Sequence, residues 1–186
     1  MPLPYGTLIG DKMSGCAPLC GNYNFSSNTN TASIFVRWVI DQKTTREPQF
    51  AYCFDTPGPH SVVGFYRSTL TGCTNTDTFV INVFPNPISA WSYYPENPEA
   101  LVEEVEFTNL TKGTLSKTIW KFSGDPPYTS KIKNPKYTFN QPGTHSVTLI
   151  SVNEQGCSDT LVKNIQVLED YHVYVPDVFK IGRAHV

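Results

Sequence analysis

The stretch YCFDTPGPHSVVGFY at residues 52–66 returns as YTFNQPGTHSVTLIS at 137–151, at a constant offset of 85. Each copy runs through an aromatic-rich segment, a Pro-Gly step, and then a His-Ser-Val segment with apolar residues at alternate positions. Period-two alternation places one set of side chains on a single face of a β-strand. The Pro-Gly step suits a tight bend whose glycine takes a positive φ, so Pro57-Gly58 and Pro142-Gly143 are expected turns. Reading outward, TGCTNTDTFVINV at 71–83 aligns with QGCSDTLVKNIQV at 155–167. Upstream, FVRWVID at 35–41 corresponds to KTIWKFSGD at 117–125, which sets Trp38 opposite Trp120. The chain is therefore an internal repeat with a unit of about 80 residues, near the lower limit for a self-sufficient core. The boundary falls at the proline pair of VFPNPISA, between Phe84 and Ile88.

Composition agrees with short strands. The 186 residues include 15 prolines and 12 glycines, and aromatics reach 13%. Prolines recur too often for a long helix, whereas aromatic and β-branched side chains pack well on a pleated surface. Expected strands in the second unit are 90–94, 105–109, 116–122, 136–140, 145–152 and 160–168, with turns at 95–98, 124–128, 141–143 and 154–156. The predicted class is all-β: two tandem immunoglobulin-like Greek-key sandwiches, at 1–84 and 85–169. Trp38 with Ile40, Trp120 with Phe122, and Val147 with Leu149 are expected in the cores. A net charge of −2 offers no basic face for nucleic acid. No apolar run approaches the ~20 residues of a membrane span. The opening MPLPYGTLIG lacks the charged and apolar regions of a signal peptide, and cysteines in β segments point to an oxidising compartment. The chain is thus expected to be an interior piece of an exported, extracellular or cell-surface protein.

The second unit resembles the PKD family of extracellular Ig-like modules. It carries WKFSGD from Trp120 to Asp125, NPKYTF from Asn134, GTHSVTL from Gly143 and NEQGCSD from Asn153 to Asp159. The first unit is more divergent: VIDQ follows Trp38 where the family has a Gly-Asp pair. His60 and His145 stand where the family usually has tyrosine. YVPDVF from Tyr174 to Phe179 resembles the start of the gliding-motility-associated C-terminal domain of Bacteroidetes surface proteins, which implies type IX secretion. Residues 170–180 are accordingly expected to open a truncated domain, and residues 181–186 to be a non-native tail, so Arg183 and His185 carry no functional weight.

Catalysis is not expected, and neither is a cofactor or a metal. His60 and His145 occupy one repeat position, which suits half-buried structural side chains, and His172 sits in a linker. No nucleophile–base arrangement can be assembled within one unit. Glu103, Glu104 and Glu106 read as a solvated strand face. Asp125, Asn153 and Asp159 offer oxygens for calcium but no contiguous ligand loop. Trp91 and Tyr93 are expected to face inward and Tyr94 outward; a sugar-binding strip would need Trp91 outside. The sequons at 24–26 and 109–111 read as chance matches in a bacterial protein, and the Asp-Thr-Leu at 159–161 as a weak resemblance to an O-glycosylation signal.

Five cysteines remain to be placed. In an Ig-like sandwich the strands bearing Cys20 and Cys53 are antiparallel neighbours, which favours a Cys20–Cys53 disulfide. Cys16 and Cys73 belong at opposite ends of the first sandwich, about 20–25 Å apart, far beyond the roughly 7 Å a disulfide spans. Head-to-tail stacking would instead offer Cys16 to Cys157 and leave Cys73 for an upstream module; three thiols, or modules bent apart, are the rival reading. The expected role is a stalk, spacer or adhesive unit of a large bacterial surface protein, with neighbouring modules and glycan or protein ligands as partners. The alternative is an accessory polysaccharide- or protein-binding module of a secreted hydrolase.

Overall fold

A computed structural model of the chain describes residues 4, 6–27, 33–124 and 126–169, with backbone alone at 27 and 33–36. Asp125, His172, the expected domain start at 170–180 and the tail at 181–186 lie outside the described residues. The described chain is all-β and of the immunoglobulin-like sandwich class. It divides into two compact units. One comprises Met1–Ser89, Thr111–Thr118 and Ile150–Thr160; the other comprises Ala90–Leu110, Ile119–Leu149 and Leu161–Val186. The division does not follow the repeat, because segments 111–118 and 150–160 group with the first 89 residues.

In the first unit β1 (Gly6–Gly10), β3 (Leu19–Ser27) and β6 (Gln49–Phe54) form one sheet in the order β1-β3-β6. β2 (Ser14–Cys16), β4 (Ser33–Ile40), β5 (Lys43–Thr45), β7 (Gly58–Ser68) and β8 (Thr74–Phe84) form the other, in the order β2-β8-β7-β4-β5. β2 pairs parallel to the end of β8, with Cys16 opposite Phe84. Inward residues meet in a core around Trp38, with Leu19, Tyr23, Ile40, Phe54, Val62 and Ile81. Trp38 is 0% exposed and lies directly across from Gly64. A Cβ at Gly64 would collide with the Tyr66 hydroxyl and stand 2.6 Å from the indole ring, so the glycine makes room for both rings.

The remaining strands are β9 (Trp91–Tyr94), β10 (Val105–Asn109), β11 (Leu115–Phe122), β12 (Tyr128–Ser130), β13 (Lys136–Tyr137), β14 (Gly143–Asn153) and β15 (Ser158–Val167). They make sheets of order β13-β10-β9 and β12-β11-β14-β15. The core of the second unit gathers Trp91, Val105, Phe107, Trp120, Phe122, Phe139, Val147, Leu149 and Ile165. Trp120, Val147 and Leu149 are each 0% exposed.

Two expected boundaries need correction. The turn expected at 124–128 ends sooner, because Tyr128 pairs back across from Phe122 to start β12. The strand expected at 136–140 is only two residues long. Beyond it the Phe139 carbonyl accepts from Leu101 N–H at 2.8 Å, outside any sheet ladder, while the Phe139 ring still enters the core.

Replacing Trp120 with alanine removes one of the two tryptophans of its core and is expected to cost about 3–5 kcal/mol. A clear fall in the chemical-denaturation midpoint checks this; an unchanged midpoint contradicts the packing.

Candidate functional site

The Pro-Gly turns are closed by the repeated histidines. Gly58 and Gly143 open β7 and β14 with φ of 130° and 118°, and nothing lies within 4 Å of where a Cβ would sit. Glycine is required there by backbone conformation, not by space. Two residues on, His60 Nε2 stands 2.7 Å from the Thr56 carbonyl oxygen, and His145 Nε2 stands 2.8 Å from that of Gln141. Each imidazole therefore clasps the residue four positions back, across the turn. Each also packs on an aromatic ring, Phe54 at 4.9 Å and Phe139 at 4.7 Å between centroids.

The second ring nitrogens differ. His145 Nδ1 lies 3.2 Å from the Ser123 carbonyl oxygen. His60 Nδ1 meets the Asp41 carboxylate in a short ion pair. Burial pulls the His60 pKa down, but the Thr56 carbonyl and the Asp41 carboxylate outweigh it and the pKa is raised. Two acceptors facing one ring favour the doubly protonated imidazolium. With Nε2 committed to a backbone carbonyl, the pair is a structural clasp and not a general base. Aligned on the tryptophans, Asp41 stands opposite Ser123, whose carbonyl meets His145 Nδ1 in the other copy, so the partner position is legible in the repeat.

A second polar cluster lies in the first unit. Asn153 Nδ2 donates to the Pro85 carbonyl at 2.8 Å, and Cys157 N–H donates to Asn153 Oδ1 at 2.8 Å. Ser89 N–H donates to Asp159 Oδ2 at 2.7 Å, which holds that carboxyl below its ordinary pKa. The oxygens considered for calcium at Asn153 and Asp159 are thus occupied by the backbone. Among the described residues no three His, Cys, Asp or Glu side chains gather as a metal site. Glu104 and Glu106 both bridge to Lys136, at 3.1 and 2.5 Å, on an exposed strand face.

Cys20 and Cys53 stand opposite each other on β3 and β6 and are disulfide-bonded, with Cα atoms 4.0 Å apart. Closing a loop of 33 residues contributes roughly 3–4 kcal/mol in the chain-entropy description. Cys16 and Cys157 form a second disulfide within the first unit, with a Cα separation of 5.5 Å and a sequence separation of 141. Cys73 is unpaired and exposed. It immediately precedes the 11-residue β8, whose far end is where Cys16 lies, so the strand holds those two cysteines roughly 35 Å apart.

All three tryptophans are buried: Trp38, Trp91 and Trp120. None offers a ring face to a sugar. Lys163 covers Trp91, donating to its carbonyl at 2.7 Å. Tyr93 packs against the core, and Tyr94 is exposed. The most open stacked aromatic in the second unit is Tyr128, 45% exposed, lying nearly parallel to Tyr137 at 5.5 Å.

Residues 96–167 match the PKD domain family. The PKD segment carries the second core apart from Trp91, together with the Gln141–His145 clasp and Cys157. Modules of this kind are typically non-catalytic. No curated protein matches the chain. Among solved structures, carbohydrate-binding modules of the β-sandwich superfamily share 28% identity, covering 45% of this chain and 35% of that one, with a TM-score of 0.41. The chain therefore spans about a third of that protein. Fibronectin(III)-like modules of Clostridium thermocellum CbhA share 12% identity over 88% of this chain and 95% of theirs, with a TM-score of 0.40. A C-terminal intimin fragment, solved with the intimin-binding domain of the translocated intimin receptor, shares 10% over 87% and 64%, at 0.48.

Because the fold raises the pKa of His60, protonation stabilises the folded chain. That contribution is complete below the ordinary value of 6.5 and is lost as pH rises through the raised value. The thermal midpoint is expected to fall over this rise, and His60→Gln to flatten the fall. An unaltered pH profile in the variant contradicts the clasp.

Proposed function

We propose that the chain is a non-catalytic extracellular module, serving as a stalk or spacer in a large exported bacterial surface protein. The observation that carries this is the Cys16–Cys157 disulfide, which joins residues 141 positions apart. Disulfides persist in oxidising, exported settings. This one also gives the chain a covalent short cut. Tension applied outside residues 16 and 157 passes through the sulfur–sulfur bond, and the sandwich strands between them cannot be drawn out. A spacer that must keep its length under load at a cell surface gains from that arrangement. The PKD match and the Ig-like fold support the extracellular reading, and the motifs at Tyr174–Phe179 suggest the type IX route.

Single-molecule stretching tests the proposal. Under oxidising conditions, residues 17–156 should contribute no extension. Reduction should release those residues over the 141 positions that separate the two cysteines, at about 3.4 Å each, roughly 480 Å of added length. Equal extension with and without reductant would contradict it.

A second reading, an accessory polysaccharide-binding module, is favoured by the open Tyr128–Tyr137 stack. Saturable binding to an insoluble polysaccharide, lost in Tyr128→Ala, would support it. Binding that Tyr128→Ala leaves intact would remove this surface as the site.

A further inference from the structure

Two hairpins of this chain are built alike, and only one of them is engaged. In the hairpin before β15, Asn153 N–H donates to the Cys157 carbonyl at 2.9 Å and Gly156 N–H donates to the Asn153 carbonyl at 3.1 Å. In the hairpin before β8, Ser68 N–H donates to the Cys73 carbonyl at 2.8 Å and Gly72 N–H to the Ser68 carbonyl at 2.9 Å. Gly156 and Gly72 have φ of 83° and 73°. The residue two positions past each cysteine reaches the same repeat position: Asp159 accepts from Ser89 N–H, and Asn75 Nδ2 donates to the Pro4 carbonyl at 2.9 Å. The two cysteines therefore stand in one geometry. Cys157 is 1% exposed and bonded to Cys16. Cys73 is exposed and unpaired, and the tip beside it presents Leu70, 78% exposed.

The receiving element is equally specific. Cys16 lies on β2, the edge strand that pairs parallel with the end of β8. Ala17 N–H donates to the Phe84 carbonyl at 2.9 Å. In the second unit Ala100 N–H donates to the Leu168 carbonyl at 3.0 Å, and Glu99 bridges Leu168 in parallel. The same seat thus exists there, with Glu99 where Cys16 stands. Four of the five cysteines are consumed in two disulfides, and the second seat has no thiol.

The geometry points to the 68–73 hairpin as a covalent docking plug for another module of this kind, one whose β2-like edge strand presents an unpaired cysteine to Cys73. This rests on the exported setting of the proposed function and adds a partner class to it. The step is thiol–disulfide exchange with a disulfide donor such as glutathione disulfide. Two protein thiols lose two electrons and two protons to become one disulfide, and the donor is reduced to two thiols.

The full chain can be made to present the missing seat. In Glu99→Cys, oxidised with glutathione disulfide, Cys73 of one copy should bond to position 99 of the next. Non-reducing electrophoresis should then show a ladder of multimers, with a 73–99 linkage by peptide mapping. Cys73→Ser in the same background should abolish the ladder, and Glu154→Cys, an exposed thiol away from the seat, should not form it. If Glu99→Cys does not fold, Cys157→Ser frees Cys16 on β2 as the seat, and the ladder should then carry a 73–16 linkage. Symmetric 73–73 or 99–99 dimers alone, or a ladder no faster than with Glu154→Cys, would overturn the inference. Retention of both native disulfides in the same maps leaves the spacer proposal standing even if the docking fails.

Discussion

Each core is organised by a tryptophan that has given up all contact with water. Trp38 and Trp120 are both 0% exposed, and each lies on a strand whose neighbours alternate inward and outward. Burying an indole removes a large apolar area from solvent, on the order of 150–250 Å². In units this small, that single side chain dictates much else. Phe25, Phe50, Tyr66 and Phe79 meet Trp38 tilted or edge-on, as Trp91 and Phe107 meet Trp120, while Phe122 stacks nearly parallel to Trp120. Glycine at position 64 yields space to the indole and to the Tyr66 ring.

With the aromatics committed to packing, polar side chains serve mainly to close turns. The histidines at 60 and 145 tie each Pro-Gly bend to the carbonyl four residues earlier. Asn153 and Asp159 spend their oxygens on backbone N–H groups. Polar groups engaged in this way are poor candidates for ligand binding or proton transfer.

The disulfides supply what small cores cannot. Cys20–Cys53 ties two adjacent strands of one sheet, a local reinforcement. Cys16–Cys157 has a different reach, because it joins an edge strand near the start of the chain to a hairpin 141 residues later. The segment 150–160 groups with the first 89 residues, away from most of its own repeat.

The repeat, the alternation, the tryptophan positions and the Pro-Gly turns are local patterns, and the sequence alone determined them. Period-two hydrophobicity names a strand and its inward face without reference to any partner, which is why β10 begins and ends where the pattern does. The alignment of the two copies likewise located the paired histidines and the hairpin cysteines. Tertiary structure decided what those groups touch. Asp41 meets His60 only because the β4–β5 turn and the β6–β7 turn lie at the same end of the first unit. Tyr128 became a strand because Phe122 was available across the turn, and the segment at 136–140 shrank because the Phe139 carbonyl found Leu101 instead of a ladder. Glu99 occupies the seat of Cys16 through a parallel bridge that no sequence identity marks, since strand pairing depends on backbone register and leaves the side chain free to change.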